Sequence, residues 1–238
     1  MIGRFRYQEH IFYGEVKDDI VLSDDKELAI SDVEVLVPCE PTKIIGVGLN
    51  YYDHAEELGM CIPEEPIIFL KPTSALLPHE KPIIHPKISK RVDYEAELAV
   101  VISERCRNVS ERYAEDFILG YTCANDVTAR DIQKKDVQWT RSKSFDTFAP
   151  IGPFLQDLSS EPRVFVSCKL NGKVVQKGNT KNMIFGVHEL IKFISHVMTL
   201  ERGDVILTGT PAGVGKMNRG DVVEVEIENI GTLRNPVI

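Results

Sequence analysis

Two glutamates one residue apart head an apolar run, Val92-Asp93-Tyr94-Glu95-Ala96-Glu97-Leu98-Ala99-Val100-Val101. Side chains alternate along an extended strand, so Glu95 and Glu97 point the same way. Neighbouring carboxylates repel, and burial raises that cost unless a cation offsets it. Hard divalent ions (Mg²⁺, Mn²⁺ or Ca²⁺) do so, because they prefer oxygen ligands. An exposed, solvated strand face would show the same letters. A third acid, Asp126, stands in Cys123-Ala124-Asn125-Asp126-Val127-Thr128-Ala129-Arg130-Asp131, after the apolar segment FILGYTCA, where a strand gives way to a helix. That position suits a helix N-cap as well as a metal ligand. Arg130 and Gln133 share one helix face and read either as the wall of a site or as ordinary surface.

His54 stands three residues before Glu57 in Asn50-Tyr51-Tyr52-Asp53-His54-Ala55-Glu56-Glu57. On a helix the two side chains meet, and the carboxylate orients and polarises the imidazole. Such a dyad can take a proton from water, although a plain surface pair has the same spacing. Two glycine-rich stretches are set aside as nucleotide sites. In Gly209-Thr210-Pro211-Ala212-Gly213-Val214-Gly215-Lys216 the first glycine is one residue too far from the Gly-Lys pair, and Met217 replaces the required Ser or Thr. Gly46-Val47-Gly48 lacks a third glycine.

The elements that must position these residues are mostly strands. Apolar runs and period-two alternation predict them at Lys43–Leu49, Pro66–Leu70, Glu97–Ile102, Arg163–Leu170, Lys173–Gln176, Asp204–Leu207 and Asp221–Ile227. Asn171-Gly172 predicts a hairpin turn, and Asn229–Gly231 another turn. Helices are predicted at Tyr51–Gly59, Thr128–Trp139 and Val187–Met198, the last with Leu190, Ile191, Ile194, Val197 and Met198 on one stripe. Strand-rich sequence with isolated helices and no βαβ alternation argues for a mainly β, α+β fold. The first forty residues read as a β-meander of about three strands. Val37-Pro38-Cys39-Glu40-Pro41 punctuates the chain there, dividing a small N-terminal β region (1–40) from a larger domain (41–238).

Composition bounds the rest. The chain has 238 residues, 43% of them hydrophobic and 27% charged, enough for a substantial core. Its 28 basic and 36 acidic residues give a net charge of −8, which argues against a nucleic-acid partner. No apolar run reaches the roughly 18 residues of a membrane span. The N-terminal MIGRFRYQEHIFYGEV has no secretory apolar core, so the expectation is a cytoplasmic protein with no membrane partner. Cys39, Cys61, Cys106, Cys123 and Cys168 form no CxxC unit and read as reduced core thiols.

The stretches GLNYYDHAEELG, PIIFLKPTSALL, VDYEAELAVVI, GYTCANDVTARDIQ, KSFDTFAPIGP, LNGKVVQKGNT and LTGTPAGVG, in that order, resemble the fumarylacetoacetate hydrolase family. They run from about Lys43 to the end, and their order is far more specific than any one of them. The resemblance implies a mixed β-sandwich or roll holding one divalent ion, usually Mg²⁺, with Mn²⁺ or Ca²⁺ as alternatives. It places the metal carboxylates on Glu95, Glu97 and Asp126, the His–Glu dyad on His54 and Glu57, and a substrate-polarising lysine on Lys143. Arg130, Gln133 and Thr210 fall where the family contacts substrate oxygens. A further aspartate among the ligands of the larger animal enzyme has no clear equivalent in this sequence.

The implied substrates are 1,3-dicarbonyl or 2-oxo acids, and the implied reaction is hydrolysis of a carbon–carbon bond through an enolate, as in acylpyruvases. A 2-hydroxyhepta-2,4-diene-1,7-dioate isomerase and an oxaloacetate decarboxylase or tautomerase are the alternatives on the same scaffold. A homodimer is expected, again from the resemblance. A metal-dependent nuclease would use similar acids, but the acidic balance and the lack of a basic stripe disfavour it.

Overall fold

All seven residues of the strand Ala96–Ile102 are buried. Leu98, Val100 and Ile102 enter one core and Ala99 and Val101 a second, which is why this run reads apolar on both parities. In the computed structural model, residues 1–24, 26–158 and 161–238 are described. Ala96–Ile102 pairs antiparallel with Ile118–Asn125 on one side and with Val205–Leu207 on the other. Val205–Leu207 continues in parallel to Ile44–Gly48, which pairs antiparallel with Ile67–Lys71. In the other direction Ile118–Asn125 pairs with Ala149–Gln156. Through Ile2↔Leu155 the sheet then passes to the N-terminal strands.

Those strands are Ile2–Tyr7, His10–Lys17, Ile20–Ser23 and Lys26–Ala29, with Glu34–Leu36 pairing back onto the first. The N-terminal region therefore holds more than the three strands expected, around a small core of Phe5, Val16 and Val21. A second sheet orders Lys173–Asn179, Phe165–Leu170, Val222–Ile227 and Gly231–Pro236. Its Val166, Cys168, Val223, Val225 and Leu233 share the core of Leu98 and Val100. A third, small sheet joins Thr128–Ala129, Val92–Tyr94 and Gly215–Met217. The fold is mainly β with few helices, an α+β architecture as expected from the sequence.

Among the described residues the α-helices are α1 (Tyr52–Leu58), α2 (Arg130–Lys135), α3 (Thr140–Lys143) and α4 (Val187–Val197). The predicted helix Thr128–Trp139 is corrected. Thr128 and Ala129 are extended, because they pair with Asp93 and Val92, and α2 stops at Asp136, whose backbone is extended. On α4, Leu190, Ile191 and Ile194 are buried as expected, but Val197 in the last turn is exposed. The hairpin turn forms at Asn171-Gly172, with both residues at positive φ (52° and 78°). Four cysteines are buried thiols, whereas Cys61 is exposed. Among the described residues no helix is long and apolar enough to cross a membrane.

Candidate active site

Antiparallel register sets Asn125 opposite Ala96. Glu95 stands just before Ala96 and Glu97 just after it, and Asp126 directly follows Asn125 at the end of its strand. Their carboxylates converge within 4.8 Å of one another, and all three residues are buried. The Asp126 N–H donates to the Glu95 carbonyl at 2.9 Å, and the Glu95 N–H donates to Asn125 Oδ1 at 3.0 Å. Asp126 caps no helix, since α2 begins only at Arg130 and has no side-chain cap.

Three cations surround these acids. Lys143 Nζ donates to Asp126 Oδ2 at 2.5 Å and to Glu95 Oε2 at 3.0 Å. Lys71 Nζ donates to Asp126 Oδ1 at 2.5 Å and to the carbonyls of Phe148 (2.6 Å) and Val127 (3.3 Å). Arg130 pairs with Glu95 and donates to Asp93 Oδ2 at 2.9 Å and to Gln133 Oε1 at 2.6 Å. Glu97 has no ion-pair partner among the described residues, and accepts the Gly209 N–H at 2.7 Å.

The protonation pattern follows from this arrangement. Burial alone would raise Glu95, but Lys143 and Arg130 reverse that and hold its pKa down to about 2. Burial, then the charges of Asp126 and Glu95, push Glu97 well above the usual carboxylate range. Burial lowers Lys71. Burial would lower Lys143 too, but Asp126 and Glu95 outweigh it and raise the ammonium. One of the three acids therefore lacks a compensating charge. An oxygen-only donor set with that deficit, converging in a buried space, fits one hard divalent cation.

His54 is on α1, 7% exposed, with Nδ1 3.0 Å from Glu57 Oε2. Glu57 in turn accepts the Gly213 N–H on both oxygens, at 3.1 and 3.2 Å. A cavity of about 250 Å³ brings together every predicted site residue except Glu57, which stands behind His54. Thr210 lines it, but its hydroxyl donates to the Ala96 carbonyl (2.8 Å) and accepts from Gln176 Nε2 (2.9 Å). Apart from Lys134, the remaining wall is mostly apolar, with Leu58, Met60, Ile67, Phe69 and Trp139. Phe69 and Trp139 meet edge-on with centroids 5.5 Å apart. Trp139 lies against Gly48, where a Cβ would stand 2.6 Å from the indole ring, so the Gly-Val-Gly stretch makes room for this wall.

Reading the sequence missed Lys71, Asp93, Gln176 and the aromatic pair. Lys71 carried one signal, a lysine directly after the apolar run PIIFL. Gln176 and Trp139 carried none, because only the tertiary fold brings them to the site.

Residues 43–238 match the family model "Fumarylacetoacetate (FAA) hydrolase C-terminal". An oxaloacetate tautomerase, fahd2 of Xenopus laevis mitochondria, is 44% identical over 229 residues, covering 91% of this chain and 72% of the relative. The crystal structure of a 5-carboxymethyl-2-hydroxymuconate delta-isomerase from Mycobacterium smegmatis superposes with a TM-score of 0.93 at 41% identity, covering 100% of this chain and 98% of the other. A fumarylpyruvate hydrolase from Pseudomonas aeruginosa, in complex with Mn²⁺ and pyruvate, superposes with a TM-score of 0.79 at 28% identity, covering 90% and 92%.

Proposed function

We propose a function from one premise: this chain belongs to the fumarylacetoacetate hydrolase family. It is an enzyme of that family, whose members named above are a hydrolase, an isomerase and a tautomerase. Our finer reading is hydrolysis of a carbon–carbon bond in a 2-oxo acid carrying a 1,3-dicarbonyl unit. The observation that carries it is the His54–Glu57 contact at 3.0 Å, with His54 on the same cavity as the acids and Lys143.

Glu95, Glu97 and Asp126 are the residues proposed to hold a divalent ion, Mg²⁺ or Mn²⁺, and the Mn²⁺ in the Pseudomonas enzyme supports this reading. When bound, the ion supplies Lewis-acid polarisation of substrate oxygens. The chain's own residues do the rest. His54 Nδ1–H donates a hydrogen bond to Glu57, which leaves the Nε2 lone pair to take a proton from water. The water oxygen bonds to the carbonyl carbon at the scissile bond. That bond then breaks, and its electron pair passes to the departing carbon as an enolate. His54 returns its proton there, giving a 2-oxo acid and a carboxylic acid. Lys143, buried and positive, faces the developing negative charge. Arg130, fixed by Asp93, Gln133 and Glu95, lines the cavity and is the proposed partner of the substrate carboxylate.

Turnover of acetylpyruvate in ¹⁸O-labelled water is expected to place label in the released acetate. Turnover without label sinks the hydrolase reading. The second reading, keto–enol tautomerisation of oxaloacetate, is favoured by the Xenopus relative and needs no attack by water.

A further inference from the structure

Gln176 lies outside the cavity, yet it reaches the backbone on both sides of the acids. It is 2% exposed, on the strand Lys173–Asn179. Its Oε1 accepts the Ala96 N–H at 3.0 Å, and its Nε2 donates to Thr210 Oγ1 and to the Pro211 carbonyl, each at 2.9 Å. Thr210 Oγ1 donates in turn to the Ala96 carbonyl at 2.8 Å. Ala96 is the residue between Glu95 and Glu97, so its N–H and its carbonyl are both tied to Gln176, one directly and one through Thr210. The segment 209–213 held in this way offers two backbone donors to the site. Gly209 gives one to Glu97 at 2.7 Å, and Gly213 gives the other to Glu57 at 3.1 and 3.2 Å.

We infer that Gln176 is a positioning residue: it clamps the segment 209–213 to the Glu95–Glu97 strand, so that one stretch of backbone holds Glu97 and Glu57 in fixed relation. The inference rests on the roles proposed for those two glutamates. A backbone N–H takes its direction from the path of the chain, so whatever fixes the path aims the donor. Gly213 lies directly on the Gln176 strand. Its φ is +97°, and a Cβ there would stand 2.6 Å from the Val175 carbonyl oxygen. The Gln176 amide uses its acceptor and both donor directions in a buried place, where an unpaired group is costly.

The test uses the full chain. Gln176→Met keeps the volume and removes all three hydrogen bonds; Gly213→Ala displaces the segment and leaves Gln176 intact. Amide hydrogen exchange is expected to quicken at 209–213 and across α1 in Gln176→Met, while α4 keeps its protection. On acetylpyruvate or oxaloacetate, kcat is expected to fall about 10–100-fold in each variant, with KM held. The losses should not multiply in the double variant, because both act through one segment. Quickened exchange at 209–213 with α1 unchanged, or losses that multiply, overturns the inference. If Gln176→Met does not fold, Gly213→Ala decides by the same exchange measurement: α1 quickens or the inference fails. The underlying reading fails separately, by undiminished Mn²⁺ affinity in Glu97→Ala.

Discussion

Lys71 and Lys143 approach opposite oxygens of the Asp126 carboxylate, each at 2.5 Å. The acid cluster is thus largely neutralised by the chain's own ammonium groups, while burial and then the charges of Asp126 and Glu95 raise the pKa of Glu97. The ammonium groups thus offset buried acids within the chain itself, and Glu97, with no ion-pair partner among the described residues, is where the proposed ion would add most.

Replacing Glu97 with Ala is expected to abolish Mn²⁺ binding in calorimetry and to abolish turnover, while the circular dichroism spectrum stays that of the parent. Unchanged affinity would remove Glu97 from the ligand set.

Lys71→Met is expected to destabilise the metal-free protein by about 3–5 kcal/mol, because it leaves a buried carboxylate without one of its partners. Saturating Mn²⁺ should recover part of that loss by binding the folded state. Denaturant midpoints with and without the ion check both halves.

His54→Ala is expected to lower hydrolysis by roughly 10²–10⁴-fold and to leave Mn²⁺ affinity intact, since imidazole is not among the proposed oxygen ligands. Lys143→Ala should impair hydrolysis and tautomerisation alike, because both pass through an enolate. Comparing the two variants on acetylpyruvate and on oxaloacetate separates the roles.

Asp204 gives the pH prediction. It is buried, which alone would raise its pKa, but Lys43, the Glu201 N–H and Thr42 outweigh that and lower it. A depressed folded pKa means stability present above the unfolded value of about 3.9 and lost as pH falls through the folded one. Asp204→Asn should therefore weaken the protein at neutral pH and flatten the loss below about pH 4, as read from urea midpoints across that range. An acid limb as steep as the parent's would contradict the assignment.

The sequence made some of these features legible and hid others for physical reasons. Glu95 and Glu97 are visible because strand periodicity is local, and His54 and Glu57 because helix spacing is local. Asp126 is legible as an acid at a strand end, but its meeting with Glu95 and Glu97 depends on the register Ala96↔Asn125, which no window of sequence contains. Thr128–Trp139 looked helical because Arg130–Lys135 is helical. What its pattern lacked was the pairing of Thr128 with Asp93, a partner far back in the chain. Gln176 reads as an ordinary alternating residue after a hairpin, and only the packing of the second sheet under the 209–213 segment gives it three partners. The same segment looked like a failed phosphate loop, yet its glycines aim N–H groups at carboxylates of the chain itself.

The hydrogen bonds that complete the site span long stretches of chain: 112 residues separate Gly209 from Glu97, and 156 separate Gly213 from Glu57. Closing such loops is slow and must precede any reward from the contacts. The backbone donors to Glu97 and Glu57 thus reach them only after both long loops have closed. Any fragment ending before residue 209 lacks both donors.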